Sequence, residues 1–209
     1  MVRTRSVDKR REIIRVAAEA FEELGYERTS MLTIAERMRG SKQTLYNYFP
    51  SKEDLLRAVL DFDVGAVADR AMEEFRSSKS LRLGLIRVGG IYLEGQLAPR
   101  AISNIRIVAT QPAEAGIGRD FYENILCVAW KRLADAFKAL MAEGKLRRAD
   151  PWLAAMHFKG LLLQDLLERA LLNADQPDSK EIQVAAKQAA EAFLRIYGVE
   201  DDAAGRTGR

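Results

Sequence analysis

The sequence predicts an all-α fold of about nine helices, and three observations predict it. Apolar residues recur every third or fourth position over most of the chain, as helices with one inward face require. No stretch alternates apolar and polar residues for long enough to make a half-buried strand. The breaks between periodic stretches carry helix punctuation, with Ser or Asp before a run and Gly or Pro after it.

The first helix is expected from about Val7 to Leu24, with Ile13, Ile14, Ala17, Ala18, Phe21 and Leu24 as its stripe and Gly25 as its stop. Two short helices follow. Thr29 and Ser30 offer hydroxyl caps to the first, whose inward face is expected to be Leu32, Ile34, Ala35 and Met38. Arg39-Gly40 breaks it, glycine being the residue free to turn. Ser41 caps the second, which carries Leu45 and Phe49 inward, and Ser51-Lys52-Glu53-Asp54 is a capping box for a longer helix to about Arg76.

After the polar break Ser77–Ser80, a helix from roughly Leu81 to Leu97 contains Gly84, Gly89, Gly90 and Gly95. Each glycine costs about 1 kcal/mol against alanine. Their presence fits either close helix packing or a wall left thin beside a cavity. Pro99 opens a short segment, Ala101 to Thr110, and a long helix runs from about Arg119 to Met141, ended by Glu143-Gly144. Asp150-Pro151 starts another as N-cap and first-turn proline, continuing to about Leu172. Asp178 with Glu181 caps the last, which Gly198 stops after Tyr197. The remaining tail, 199–209, is rich in Gly, Asp and Ala and is expected to be disordered.

The 209 residues are 48% hydrophobic and 30% charged, which suits a globular chain of one or two domains. A net charge of +3 does not by itself imply nucleic acid, but its distribution is suggestive. Arg3, Arg5, Lys9, Arg10 and Arg11 face only Asp8, as either a solvated terminus or an arm for phosphates. Cys127 is the single cysteine, so an intrachain disulfide is excluded. The opening residues lack the apolar core of a signal peptide, and no run approaches the ~18 apolar residues of a membrane span. A cytoplasmic protein with no membrane contact is expected.

Two short helices joined by a tight turn make a helix-turn-helix, whose second helix can enter the major groove. Its outward residues point to DNA. Lys42, Gln43, Thr44, Tyr46, Asn47 and Tyr48 crowd the second helix, and no acidic residue occurs between Glu36 and Glu53. A phosphate-facing surface requires that absence of negative charge.

At these positions the chain resembles the TetR family of bacterial transcriptional regulators. The elements in common are Ile34-Ala35, Ser41-Lys42, Thr44-Leu45-Tyr46, Tyr48-Phe49 and Ser51 through Leu56, preceded by a helix with Phe21 and Gly25. One departure is that the family usually has glycine and then an aliphatic residue before Ser41, where this chain has Arg39 and Gly40. The segment around Gly144–Arg147 and Asp150-Pro151 resembles the AefR-like subgroup.

The resemblance implies a helix-turn-helix DNA-binding domain over 1–52 and a helical effector-binding and dimerisation domain over 53–198. It implies double-stranded DNA with a palindromic operator as partner, bound by a homodimer that pairs through its last two helices. By position on the motif, Gln43, Thr44, Tyr46 and Asn47 are candidates for base edges and nearby phosphates, with the amides of Gln43 and Asn47 suited to adenine. Ser30, Thr33, Ser41, Lys42, Tyr48 and Lys52 are candidates for the backbone. The apolar pattern also favours pairing. One stripe, Leu153, Met156, Gly160, Leu163, Leu167 and Leu171, runs beside a second, Phe158, Leu162, Leu166 and Ala170, and a helix apolar on two sides must bury both.

A small-molecule effector of unknown identity is expected, with no other cofactor and no metal. Its candidate pocket residues are Tyr92, Gln96, Asn104, Arg106, Tyr122, Asn124, Trp130, His157 and Gln164, polar or aromatic positions on otherwise apolar helices. Each also fits as a satisfied polar group in a helical core. Two alternatives stand beside the ligand-responsive repressor. One is a DNA-binding protein of the same fold that needs no effector, an architectural or division-linked factor. The other is an enzyme, which the residues oppose: His157 is the single histidine, and Gly116-Ile117-Gly118 lacks the third glycine and the strand of a dinucleotide loop.

Overall fold

The computed structural model describes residues 2–199, with side chains from Ser6 onward. The expected tail from Glu200 and the side chains of Arg3 and Arg5 lie outside the described residues. The helices are α1 (Val2–Leu24), α2 (Met31–Arg37), α3 (Lys42–Tyr48), α4 (Lys52–Ser77), α5 (Leu81–Gln96), α6 (Pro99–Ala109), α7 (Ile117–Asp120), α8 (Cys127–Ala142), α9 (Pro151–Leu163), α10 (Leu166–Leu171) and α11 (Ser179–Tyr197). A 3₁₀ turn at Ala113–Ala115 precedes α7, and a π turn at Phe121–Leu126 joins α7 to α8. Strand-like pairing among the described residues is limited to one bridge, Leu146 to Gly198, beside which the Arg147 N–H donates to the Tyr197 carbonyl at 2.8 Å.

The chain condenses into two compact units. One contains the residues up to Ala66 together with Ala98–Cys127, and the other contains Val67–Leu97 together with the chain from Val128. The first unit therefore runs past residue 52 along α4 and takes in α6, α7 and the π turn. Apolar burial is the reason. Ile117, Phe121 and Ile125 join Ile13, Phe21, Ile34, Leu45, Leu55 and Leu56 in one buried cluster. Each side chain of this size contributes about 1.5–3 kcal/mol when fully buried.

Several local expectations are corrected within the first unit. Ser30 caps α2, accepting the Thr33 N–H, but Thr29 does not act as a cap. Its side chain is buried at 1% exposure, and its hydroxyl lies 2.8 Å from the Gly25 carbonyl and 3.2 Å from that of Ala20, which plugs the end of α1. Leu32 is not inward but half exposed, because α2 begins at Met31 and the stripe is Met31, Ile34, Ala35 and Met38. The turn also differs from expectation. Arg39, not Gly40, takes the left-handed conformation, at φ 50°. Arg39 N–H donates to the Glu36 carbonyl at 3.0 Å and Gly40 N–H to that of Ala35 at 3.2 Å, the two bonds of a Schellman C-cap.

In the second unit, α5 and α9 pack on α11 around Phe137, Phe158 and Phe193, whose rings pair at 4.9–6.4 Å between centroids. The glycines of α5 are sites of close packing. A Cβ on Gly89 would lie 2.6 Å from Leu162 Cδ2 and 3.3 Å from Ala186 Cβ, and one on Gly95 would lie 2.6 Å from Val67 Cγ2. The expected single helix to Leu172 is broken at Gln164, which sits at φ 46° between α9 and α10. The two apolar stripes there have different fates. Phe158, Leu162, Leu166 and Ala170 are buried at 3% exposure or less, whereas Leu153 is 50% exposed and Gly160 has no neighbour within 4 Å of a Cβ position. Across on α11, Val184 and Ile196 are exposed as well.

Candidate nucleic-acid interface

Leu45 anchors α3 by pointing into the core with no exposed surface, and Phe49 follows it inward at the helix end. Ser41 starts the helix, its hydroxyl oxygen accepting the Thr44 N–H at 3.0 Å and lying 2.8 Å from Thr44 Oγ1. Ser30 and Thr33 repeat the arrangement at the start of α2, with 3.0 Å and 2.9 Å. With its inward side fixed, α3 presents Lys42, Gln43, Tyr46 and Asn47 to solvent, with Thr44 and Tyr48 half-buried beside them. Gln43 Nε2 donates to Asn47 Oδ1 at 3.1 Å, and the Lys42 ammonium lies 6.0 Å from the Tyr46 ring centre.

Lys52 is placed differently from the other candidates. Its ammonium donates to the Tyr26 carbonyl at 3.0 Å and lies 4.1 Å from the centre of the Tyr26 ring, clipping the start of α4 to the loop after α1. That ring remains a neutral phenol, since burial, with Glu53 and Glu27 nearby, pushes it up to about 12. Ser51 opens α4 as expected, accepting the Asp54 N–H at 3.0 Å and donating to the Asp54 carboxylate at 2.7 Å. Arg37 is tied to Glu23 at 2.7 Å.

Two further side chains lie at this surface, Arg10 from the basic run of α1 and Leu32, which the sequence placed inward. Arg10 lies 5.1 Å from the Phe49 ring centre and so fastens the basic end of α1 to the end of α3. Leu32 offers an exposed apolar side chain between Ser30 and Thr33, a placement that counting the stripe from Met31 would have given.

The nine effector candidates fall into separate neighbourhoods. In the second unit, Tyr92 and Trp130 meet edge to face at 4.9 Å, with Lys159 5.9 Å from the Trp130 ring centre. His157 Nδ1 lies 2.6 Å from the Tyr197 hydroxyl, Gln164 occupies the α9–α10 break, and Gln96 ends α5. In the first unit, the buried Asn104 donates to Asp63 at 3.2 Å, Arg106 lies in α6, and Tyr122 is 55% exposed. Asn124 donates to Asp120 at 2.8 Å and lines an open cleft of about 500 Å³ with Arg10, Tyr48, Asp54 and Arg57.

Two family models cover most of the chain. Residues 13–59 match the bacterial regulatory proteins of the tetR family, and residues 84–199 match the C-terminal domain of the AefR-like transcriptional repressors. The chain belongs to the TetR family. A TetR-family regulator from Mesorhizobium loti MAFF303099 is 30% identical, with 93% of this chain aligned to 99% of that one at a TM-score of 0.83. The flavonoid-responsive regulator FrrA is 26% identical over 91% of this chain and 97% of its own, at a TM-score of 0.68. The A-factor receptor protein of Streptomyces griseus is 36% identical over 63 residues, 30% of this chain and 23% of the receptor's length. Family and fold thus assign a DNA-binding transcriptional regulator. Among the described residues, no helix is long and apolar enough to cross a membrane.

Proposed function

We propose that this TetR-family protein is an effector-responsive repressor that binds a palindromic operator as a homodimer. The observation that carries the reading is the outer face of α3, a capped and core-anchored helix that contains no acidic residue and exposes donors, acceptors and a lysine. Gln43 would meet a base edge, with Asn47 beside it at the crest of the same face. Ser30, Thr33, Ser41, Lys42, Thr44, Tyr46 and Tyr48 would hold phosphates, which position a protein without specifying sequence. Lys52 would contribute an N–H that its bond to the Tyr26 carbonyl leaves over.

The exposed Leu153 of α9, with Met156 and Leu163 of the same stripe only half-buried, and the exposed Val184 and Ile196 of α11 support pairing through the last helices. One short helix reads few base pairs, and two-fold pairing doubles the site. The AefR-like repressor match supports repression, and the name of FrrA supports control by a small molecule. Binding among the helices of the second unit would act by preferring a conformation that fits DNA poorly.

The test is binding to DNA from upstream of the protein's own gene, titrated with salt. The expected result is tight binding that weakens steeply as salt rises and is lost in a Gln43→Ala, Tyr46→Ala double variant. Salt-insensitive binding, or a double variant that binds as well as the parent, would sink the assignment of this face. A Val184→Glu variant should sediment as a monomer at concentrations where the parent is a dimer.

A further inference from the structure

The arrangement of α3 distinguishes its two amides, and we propose that Gln43 alone reads an adenine in each half-site while Asn47 is the positioning residue that holds the Gln43 amide. The inference rests on α3 being the DNA-reading helix. Leu45 defines the inward direction with 0% exposure. At about 100° per residue, Gln43 and Asn47 each lie within about 20° of the opposite direction, at the crest of the outward face. They are one turn apart, and Gln43 Nε2 donates to Asn47 Oδ1 at 3.1 Å.

That bond makes the two amides unequal. Gln43 keeps its carbonyl oxygen and one N–H, an acceptor beside a donor. Asn47 keeps two N–H groups, but its carbonyl oxygen already receives the Gln43 N–H on one of its two lone pairs, whereas the Gln43 oxygen keeps both. In the major groove adenine presents a donor at N6 beside an acceptor at N7, which complements the free edge of Gln43. Guanine presents two acceptors, so the Gln43 oxygen would face O6 without a proton between them. Cytosine and thymine offer one polar group each.

Position along the helix agrees, because the N-terminal residues of a recognition helix approach the base edges and Gln43 is the second residue of α3. The other side chains of α3 have other engagements. The Thr44 hydroxyl is 2.8 Å from the Ser41 cap, and the Lys42 ammonium sits over the Tyr46 ring. Asn47 also restricts a long side chain that is otherwise free to rotate, so less conformational freedom is lost when the base is met.

The experiment selects binding sites from randomised duplexes with the parent protein and with Gln43→Ala, Asn47→Ala, Asn47→Asp and the double alanine variant, then measures affinities on the selected site. The parent should enrich an A·T pair in each half-site, and replacing that pair should weaken binding about 10- to 100-fold. Gln43→Ala should reduce this discrimination to within about threefold and leave preferences at other positions intact. Asn47→Ala should blunt the preference at the same pair and no other, and should add nothing there in the Gln43→Ala background. Asn47→Asp keeps the oxygen that receives the Gln43 N–H, so it should retain the A·T preference while binding all duplexes more weakly through its charge.

If Asn47→Ala changes the preference at a different pair, Asn47 is a reader in its own right and the inference fails while DNA binding stands. Persistence of the A·T preference in Gln43→Ala overturns it equally. A parent that enriches no sequence would remove the recognition-helix reading itself.

Discussion

Arg39 occupies the position where the family usually has glycine, and it does so in the left-handed conformation at φ 50°. For a residue with a Cβ that conformation costs about 1–2 kcal/mol. Glycine avoids that cost but gives the unfolded chain more freedom, worth about 0.5–1 kcal/mol. Arg39→Gly should therefore stabilise the protein by a net ~0.5–1 kcal/mol, or a few degrees in Tm for a chain of this size. Asn tolerates the conformation better than most residues, so Arg39→Asn should fall between the parent and the glycine variant. Arg39→Val places a branched Cβ there and should cost about 1 kcal/mol or more. Gly40 serves as a control: its φ is not left-handed, and a Cβ would meet Met38 Cε at an ordinary 3.6 Å, so Gly40→Ala should be tolerated. The assay is thermal and urea unfolding followed by circular dichroism at one fixed protein concentration, since dimerisation would make Tm concentration-dependent. Equal stability of the glycine and valine variants would refute the reasoning, as would a glycine variant less stable than the parent.

Ser41→Ala removes the cap of α3 and should cost about 1 kcal/mol of stability, with weaker DNA binding measured at constant salt. Gly89→Ala drives a Cβ against the buried Leu162 and the neighbouring Ala186 and should destabilise by about 1–3 kcal/mol in urea titration. Gly160→Ala meets open space in the single chain, so dilute monomer should gain up to about 1 kcal/mol of helix stability. Asp63 gives a pH signature. Burial raises its carboxyl above the ordinary 3.8, against the opposing influence of Arg100 and Asn104. The folded chain then binds more protons than the unfolded one above pH 3.8, so this contribution is present in full below that pH and is lost as pH rises through the folded value. Unfolding titrations across the acid range should show that Asp63→Asn lacks this decline.

The helix-turn-helix was legible because its signals are local. Ser30, Ser41, Ser51, Asp150 and Asp178 all cap the helices their spacing suggests. The two stripes flanking α9 were equally visible from period alone. What escaped the sequence depends on partners distant in the chain. Thr29 has the chemistry of a cap, yet the end of α1 offers its hydroxyl two carbonyls. Glycine marks Gly40 as the turning residue by propensity, but the hydrogen bonds to Ala35 and Glu36 set the left-handed position one residue earlier. The compact unit that adopts residues 98–127 follows from Ile117, Phe121 and Ile125, whose apolar spacing shows a buried face without showing which core it joins. The effector candidates have in common only a polar or aromatic side chain on an apolar helix, a feature that satisfied pairs such as Asn104–Asp63 share with a pocket.

The twin Ser–Thr pairs that open α2 and α3 leave a small surplus. Each pair holds two hydroxyl protons, and the contact between its oxygens, 2.9 Å at Ser30–Thr33 and 2.8 Å at Ser41–Thr44, occupies one of them. The backbone N–H that each serine accepts takes a lone pair and no proton. One proton per pair is therefore left to turn outward, and either hydroxyl can be the one that carries it. In the proposed DNA complex, a phosphate at either helix start would receive that proton while both caps stay made, so grip on the phosphate and integrity of the helix would not compete.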